Sequence, residues 1–244
     1  MPDPQAPSIP RSFCVAPWLE TVLYNDGSYR ICSRNSRVFG DWREKPLEKI
    51  WKGKELKEFR QQIVNGEYPD QDCEACHKAG SYQKFSRILG APFEAALRRL
   101  LETEVVSRQE FDELRKLGEL LDDPSGPEEI LQRVDETLSR LHARVKSDSE
   151  AALGLQVPQN VVKILRAYRA GDVAPPVVGP FRQVQLIARC NARCVMCPGK
   201  FTGELENGST LEEKFIPAAL GNPEHVVDFF CNGSEFLLFK GWKE

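Results

Sequence analysis

Apolar positions along this chain change their period twice, and the changes divide it into three stretches. Thr21 to Tyr24 and Tyr29 to Cys32 are short β-prone runs separated by Asn25-Asp26-Gly27-Ser28, an order that predicts a hairpin. Pro46-Leu47-Glu48-Lys49-Ile50-Trp51 and then Glu55 to Val64 have a longer period. There Leu56, Phe59 and Ile63 recur at three- and four-residue steps, so the end of this first stretch is helical, with one apolar stripe turned to a core.

From about Ala91 to Ala170 the pattern is helical throughout. Ser107 with Glu110 forms a capping box, and Ser125 with Glu128 around Pro127 opens a further helix in which Ile130, Leu131, Val134, Leu138, Leu141 and Val145 line one side. Gly171 stops the last helix. Residues 172–180, with three prolines and a glycine, exclude regular helix and read as an extended linker. After it Val184, Leu186 and Ile187 make a strand running into Cys190. Ser209 with Glu212 caps a helix to Leu220, and Val226 to Cys231 forms a second buried strand. Strand, loop, helix and strand start a βαβ series with a parallel sheet, so the expected class is α/β, or α+β for the chain as a whole.

The 244 residues, 41% of them hydrophobic, suit one or two domains. The expected organisation is a cysteine-bearing module at 13–80, a helical segment at 81–171, a linker at 172–181 and an α/β unit at 182–244. A net charge of -3 gives no basic field for phosphates, so nucleic acid is not an expected partner. No apolar run approaches a bilayer span, and the opening residues lack the basic-then-apolar order of a signal peptide. The expectation is a cytoplasmic protein with no membrane partner. In a reducing compartment its eight cysteines point to metal or redox chemistry, not disulfides.

Cys190-Asn-Ala-Arg-Cys194-Val-Met-Cys197 offers three soft ligands within eight residues. A four-iron cluster on three cysteines keeps one iron open to a small molecule. A zinc site is the plainer alternative, but zinc sites usually pair two knuckles or add histidine, and no histidine lies near this loop. The spacing and the strand before it resemble the radical SAM superfamily. That resemblance implies a 4Fe-4S cluster on Cys190, Cys194 and Cys197 that binds S-adenosylmethionine, passes it one electron, and yields a 5′-deoxyadenosyl radical for hydrogen abstraction. Met196 falls at the bulky position that packs near the adenine in that family; as residue chemistry alone it fits a core-facing loop equally well. Asn232-Gly233-Ser234-Glu235 is similar to the family's GGEP motif, with Phe236 in place of proline. The likeness implies that Gly233, Ser234 and Glu235 hold the methionyl ammonium, although an ordinary polar turn has the same composition.

Cys14-Val-Ala-Pro-Trp18, Asp26-Gly27, Cys32, Leu47-Glu-Lys-Ile-Trp51 and Cys73-Glu-Ala-Cys76 stand in an order that resembles SPASM and twitch domains. The implied ligand set is Cys14, Cys32, Cys73 and Cys76 around one auxiliary 4Fe-4S cluster with no open iron. A four-cysteine zinc site is the alternative, since Cys73-x-x-Cys76 is also a zinc knuckle. Trp18 and Trp51 are read as packing residues. His77, beside Cys76, is a possible ligand although the four cysteines already suffice; His142 and His225 are read as structural, and Cys231 as a buried strand thiol.

The radical SAM core that the resemblance implies is a partial barrel of about six βα units, whereas residues 182–244 supply only the first two strands. Two expectations follow. One is a radical SAM enzyme cut short within its core, with S-adenosylmethionine, an electron-donor protein and an unidentified substrate, a peptide among the candidates, as partners. The other is a catalytically inactive iron–sulfur or zinc-binding interaction module.

Overall fold

In the computed structural model the residues described are 14–80, 94, 97–98, 100–120, 128–145, 150–188, 210–221, 226 and 228–232. Helix α1 (Ala16–Leu19) leads into strand β1 (Glu20–Leu23), which turns back as β2 (Tyr29–Arg30). The predicted hairpin forms, with Val22 opposite Arg30 and Leu23 opposite Tyr29. Gly27 has φ +95°, a conformation that the missing Cβ permits, and Asp26 Oδ1 accepts from Ser28 N at 2.8 Å to close the turn. The free side of β2 is covered, because Tyr29 N donates to Gly40 O and Phe39 N to Tyr29 O, both at 2.9 Å.

Helices α2 (Leu47–Trp51) and α3 (Lys54–Val64) follow, and the predicted stripe is the buried one: Leu56, Phe59 and Ile63 are all at most 3% exposed. Next come α4 (Gln71–Lys78), α5 (Arg108–Leu120), α6 (Glu128–His142) and α7 (Glu150–Arg169). Ser107 and Glu110 form the expected capping box, with Glu110 N donating to Ser107 Oγ at 3.2 Å and Ser107 N to Glu110 Oε2 at 3.0 Å. On α6, Leu131, Val134, Leu138 and Leu141 are buried, as their spacing requires. Gly171, at φ +67°, stops α7 by taking the left-handed conformation. Among the described residues no helix is long and apolar enough to cross a membrane.

Strands β3 (Phe181–Gln185) and β4 (Asp228–Asn232) complete a mixed sheet of order β2-β1-β3-β4. The architecture is α/β, as expected. Strand β3 runs parallel to β1, Glu20 beside Phe181 and Leu23 beside Val184, and parallel to β4, Gln185 beside Asn232. One sheet therefore joins strands from both sides of residues 172–181. Those residues pack against the amino-terminal module: Pro175, Val178, Gly179 and Pro180 are buried, and a Cβ on Gly179 would meet Leu19 O at 2.6 Å. The helix expected from Ser209 starts later. Leu211 N donates to Leu186 O at 2.8 Å and Thr210 bridges Ile187, so these residues extend beside the exit of β3. A 3₁₀ turn at Glu213–Phe215 then leads into α8 (Ile216–Leu220).

Candidate metal centre

Four cysteines from three separate elements line one small cavity. Cys14 precedes α1, Cys32 lies in the turn after β2, and Cys73 and Cys76 are on α4. The three-residue step puts the last two on one face of the helix. Asp70 caps α4, its Oδ1 accepting from Cys73 N at 2.9 Å, which fixes the start of the helix and the place of Cys73. Ile31, Ile63, Ala16 and Pro17 form the apolar wall, and Arg34, Asn35, Asp72, Tyr68 and His77 the polar rim.

Hydrogen-bond donors point at the sulfurs. Ala16 N lies 3.4 Å from Cys14 Sγ, and Asn35 Nδ2 lies 3.7 Å from Cys73 Sγ. The backbone amides of Arg34 and Asn35 favour the Cys32 thiolate. Burial nevertheless dominates. It pushes the thiols of Cys14 and Cys73 far above their ordinary range and that of Cys32 up to about 12, so all three are neutral in the metal-free protein. Neighbouring thiols add to this, Cys32 and Cys76 acting on Cys14, Cys76 on Cys32, and Cys14 and Cys32 on Cys73. The Cys76 thiol is raised too, by burial first, with Arg34 acting against it. A cation or cluster bound by all four would turn these neutral thiols into thiolates.

Around the cavity, Tyr68 Oη and His77 Nδ1 share a 2.6 Å hydrogen bond, and Asp72 Oδ2 accepts from both Ser36 N and Ser36 Oγ. The first contact ties the segment before α4 to the end of α4, and the second ties α4 to the stretch just after Cys32. Trp18 and Trp51 are packing residues: both are fully buried, and the Trp18 ring stands edge-on to Tyr168 at 5.1 Å. Among the described residues no group of three or more His, Cys, Asp or Glu side chains is gathered tightly enough to hold a single metal ion as it stands. The four thiols surround a cavity instead. An all-cysteine donor set on an apolar wall, with N–H donors on the sulfurs, is the chemistry that an iron–sulfur cluster takes.

Cys14, Cys32, Cys73 and Cys76, expected as one set from their order in the chain, line one cavity. Asn35 and Asp70 join them there unexpected. An acidic residue three before a helical cysteine is a cap signal that could have identified Asp70; Asn35, a polar residue in a turn, carried no such signal. Cys190, Cys194, Met196, Cys197, Gly233, Ser234 and Glu235 lie outside the described residues, as do the side chain of Cys231 and all of His225.

Fold and thiols together define an α/β protein with a cavity lined by four cysteines. Comparison with known families supports an iron–sulfur cofactor at that cavity: the model of SPASM, an iron–sulfur cluster-binding domain, matches residues 14–77. The match spans about a quarter of the chain and contains all four cysteines of the cavity. No curated protein and no solved structure matched.

Proposed function

We propose that this chain is a radical SAM iron–sulfur protein, with an auxiliary 4Fe-4S cluster on Cys14, Cys32, Cys73 and Cys76 and a SAM-binding one on Cys190, Cys194 and Cys197. The observation that carries this reading is the gathering of four thiols around one cavity inside the residues that match the SPASM domain. The Cys190-x-x-x-Cys194-x-x-Cys197 loop in the same chain is the second part that the radical SAM resemblance calls for. Strand geometry supports the pairing. Strand β3 ends at Gln185, five residues before Cys190, and β4 ends at Asn232, the residue before Gly233; these two ends are register partners at one edge of the sheet. Open parallel sheets bind ligands beyond the carboxyl ends of their strands.

The chemistry that the SAM-binding cluster supplies when loaded is one-electron cleavage of the sulfonium, giving methionine and a 5′-deoxyadenosyl radical that takes a hydrogen atom from substrate. The chain's own part is to bind and orient. Gly233 would allow close backbone approach, Glu235 would offer a carboxylate to the methionyl ammonium, and Met196 would pack against the adenine. The electron would come from an external donor protein, and a peptide is among the candidate substrates.

The test is anaerobic reconstitution of the full chain with iron and sulfide, followed by iron analysis and electron paramagnetic resonance with and without S-adenosylmethionine. About eight irons per chain, and a signal that S-adenosylmethionine perturbs in the wild type but not in Cys190→Ala, is the expected result. Zinc with negligible iron, or clusters indifferent to S-adenosylmethionine, would leave a metal-stabilised interaction module in place of an enzyme.

A further inference from the structure

One residue touches both halves of the cysteine set, the first through its backbone and the second through its side chain. Asn35 is 2% exposed, three residues beyond Cys32, and its backbone N–H donates to Cys32 O at 3.4 Å. Its side-chain Nδ2 donates to Asp70 Oδ2 at 2.7 Å and reaches Cys73 Sγ at 3.7 Å, while its Oδ1 accepts from Arg37 N at 3.0 Å. Asp70 in turn caps the helix that carries Cys73 and Cys76. The turn holding Cys32 and the helix holding two further ligands are thus joined through this buried amide, in addition to the exposed Ser36–Asp72 contact.

The geometry points to Asn35 as a positioning residue of the cluster site, one that fixes the Cys32 turn against the Cys73–Cys76 helix and supplies a side-chain hydrogen bond to the Cys73 sulfur. This rests on the reading that the four cysteines hold a cluster. Amide chemistry suits the place and its isosteres do not. The Nδ2 group has two protons, one for Asp70 and one for the sulfur, and Oδ1 is free to accept from Arg37. An aspartate there would set two carboxylates together and give the sulfur no donor; an alanine would leave Asp70 and Arg37 N without these partners. A hydrogen bond to a ligating sulfur draws electron density from it and favours the reduced cluster, so Asn35 raises the reduction potential.

The experiment uses the full chain with Cys190, Cys194 and Cys197 all changed to alanine, so that one cluster remains to be titrated. Asn35→Ala, Asn35→Asp and Asn35→Gln are made in that parent. For each, the iron content, the melting of the metal-free form and the midpoint potential by anaerobic redox titration are measured. Ala and Asp should load less iron or, where they load, reduce at a lower potential than the parent, Asp the lower of the two. Gln, which keeps both donors on a longer arm, should fall nearest the parent. A purely structural Asn35 would change melting and leave the potential where it was. Ala and Asp forms that load fully and reduce at the parent's potential overturn the inference, as does a Gln form no closer to the parent than Ala. Should Ala or Asp fail to fold, the other and Gln decide. A parent that takes up no iron fails the cluster reading itself, and the inference falls with it.

Discussion

The indole N–H of Trp18 donates to the backbone carbonyl of Asp172 at 2.7 Å, across 154 residues of sequence. This bond joins α1, which follows Cys14, to the segment that leaves the helical region. Trp18→Phe keeps an aromatic ring but loses the bond and part of the buried indole, so it should cost roughly 2–3 kcal/mol, the usual net value of one hydrogen bond plus the vacated volume. Trp18→Ala also empties a fully buried site and should cost about 3–5 kcal/mol. Urea unfolding of the metal-free protein checks both, and equal midpoints for wild type and Trp18→Ala would rule out the tie.

Arg60 makes the same connection from α3. Fully buried, it donates Nε to Pro17 O and Nη1 to Trp51 O and Val173 O, each at 2.9 Å, and its guanidinium lies 4.2 Å from the Trp51 ring centroid. Burial lowers its pKa to about 10, which still leaves it charged at neutral pH. Arg60→Lys should not rescue, because one ammonium cannot reproduce a planar fork serving three carbonyls. Both Arg60→Lys and Arg60→Ala should destabilise, Ala by roughly 3–5 kcal/mol, because it leaves three carbonyls without the guanidinium and a cavity beside Trp51. A Lys variant with the wild-type unfolding midpoint would show that charge alone is what the site needs.

Local patterns in the sequence translated into structure where the signal was local. The Thr21–Cys32 hairpin, the Leu56-Phe59-Ile63 stripe, the Ser107–Glu110 box and the Gly171 stop all rest on neighbours within a few residues, and each forms. The parallel pairing of β1 with β3 left no trace, because residues such as Glu20 and Phe181 meet through tertiary packing and no turn residue records it. For the same reason the proline-rich residues 172–180 read as a tether, although Trp18 and Arg60 hold their carbonyls. The four cysteines were legible as a set from their order along residues 14–77, which match an iron–sulfur cluster-binding domain. Asn35 was not, since its work depends on Asp70 and Cys73 arriving beside it.

Glu20 gives the metal-free protein a pH dependence. The residue is 4% exposed, its Oε2 has no partner, and burial lifts its carboxyl from 4.5 to about 8. Between those values the folded protein keeps a proton that the unfolded chain has released. Stability is therefore greatest at the acid end of that window and falls as pH rises toward 8, by roughly 1.4 kcal/mol per pH unit at the steepest. Glu20→Gln should flatten the slope and exceed the wild type in stability at about pH 8. Urea midpoints of both proteins at about pH 5 and pH 8 make the comparison, and parallel trends would remove Glu20 as the cause.

The buried thiols make metal loading a proton-releasing step. Burial holds Cys14 and Cys73 above the ordinary thiol range and Cys32 at about 12, while ligation requires thiolates. Loading a cluster on the four cysteines should thus release about four protons, and the affinity should climb steeply with pH. The same burial protects the metal-free site. At about pH 7.5 iodoacetamide should alkylate Cys14 and Cys73 more than about tenfold slower than an unstructured peptide cysteine. Cys76, the least enclosed of the four and beside Arg34, should react first. Peptide mapping by mass spectrometry resolves each residue. Rapid labelling of Cys14 in a folded, metal-free sample would mean that the cavity is open to solvent and that its thiols ionise as ordinary ones do.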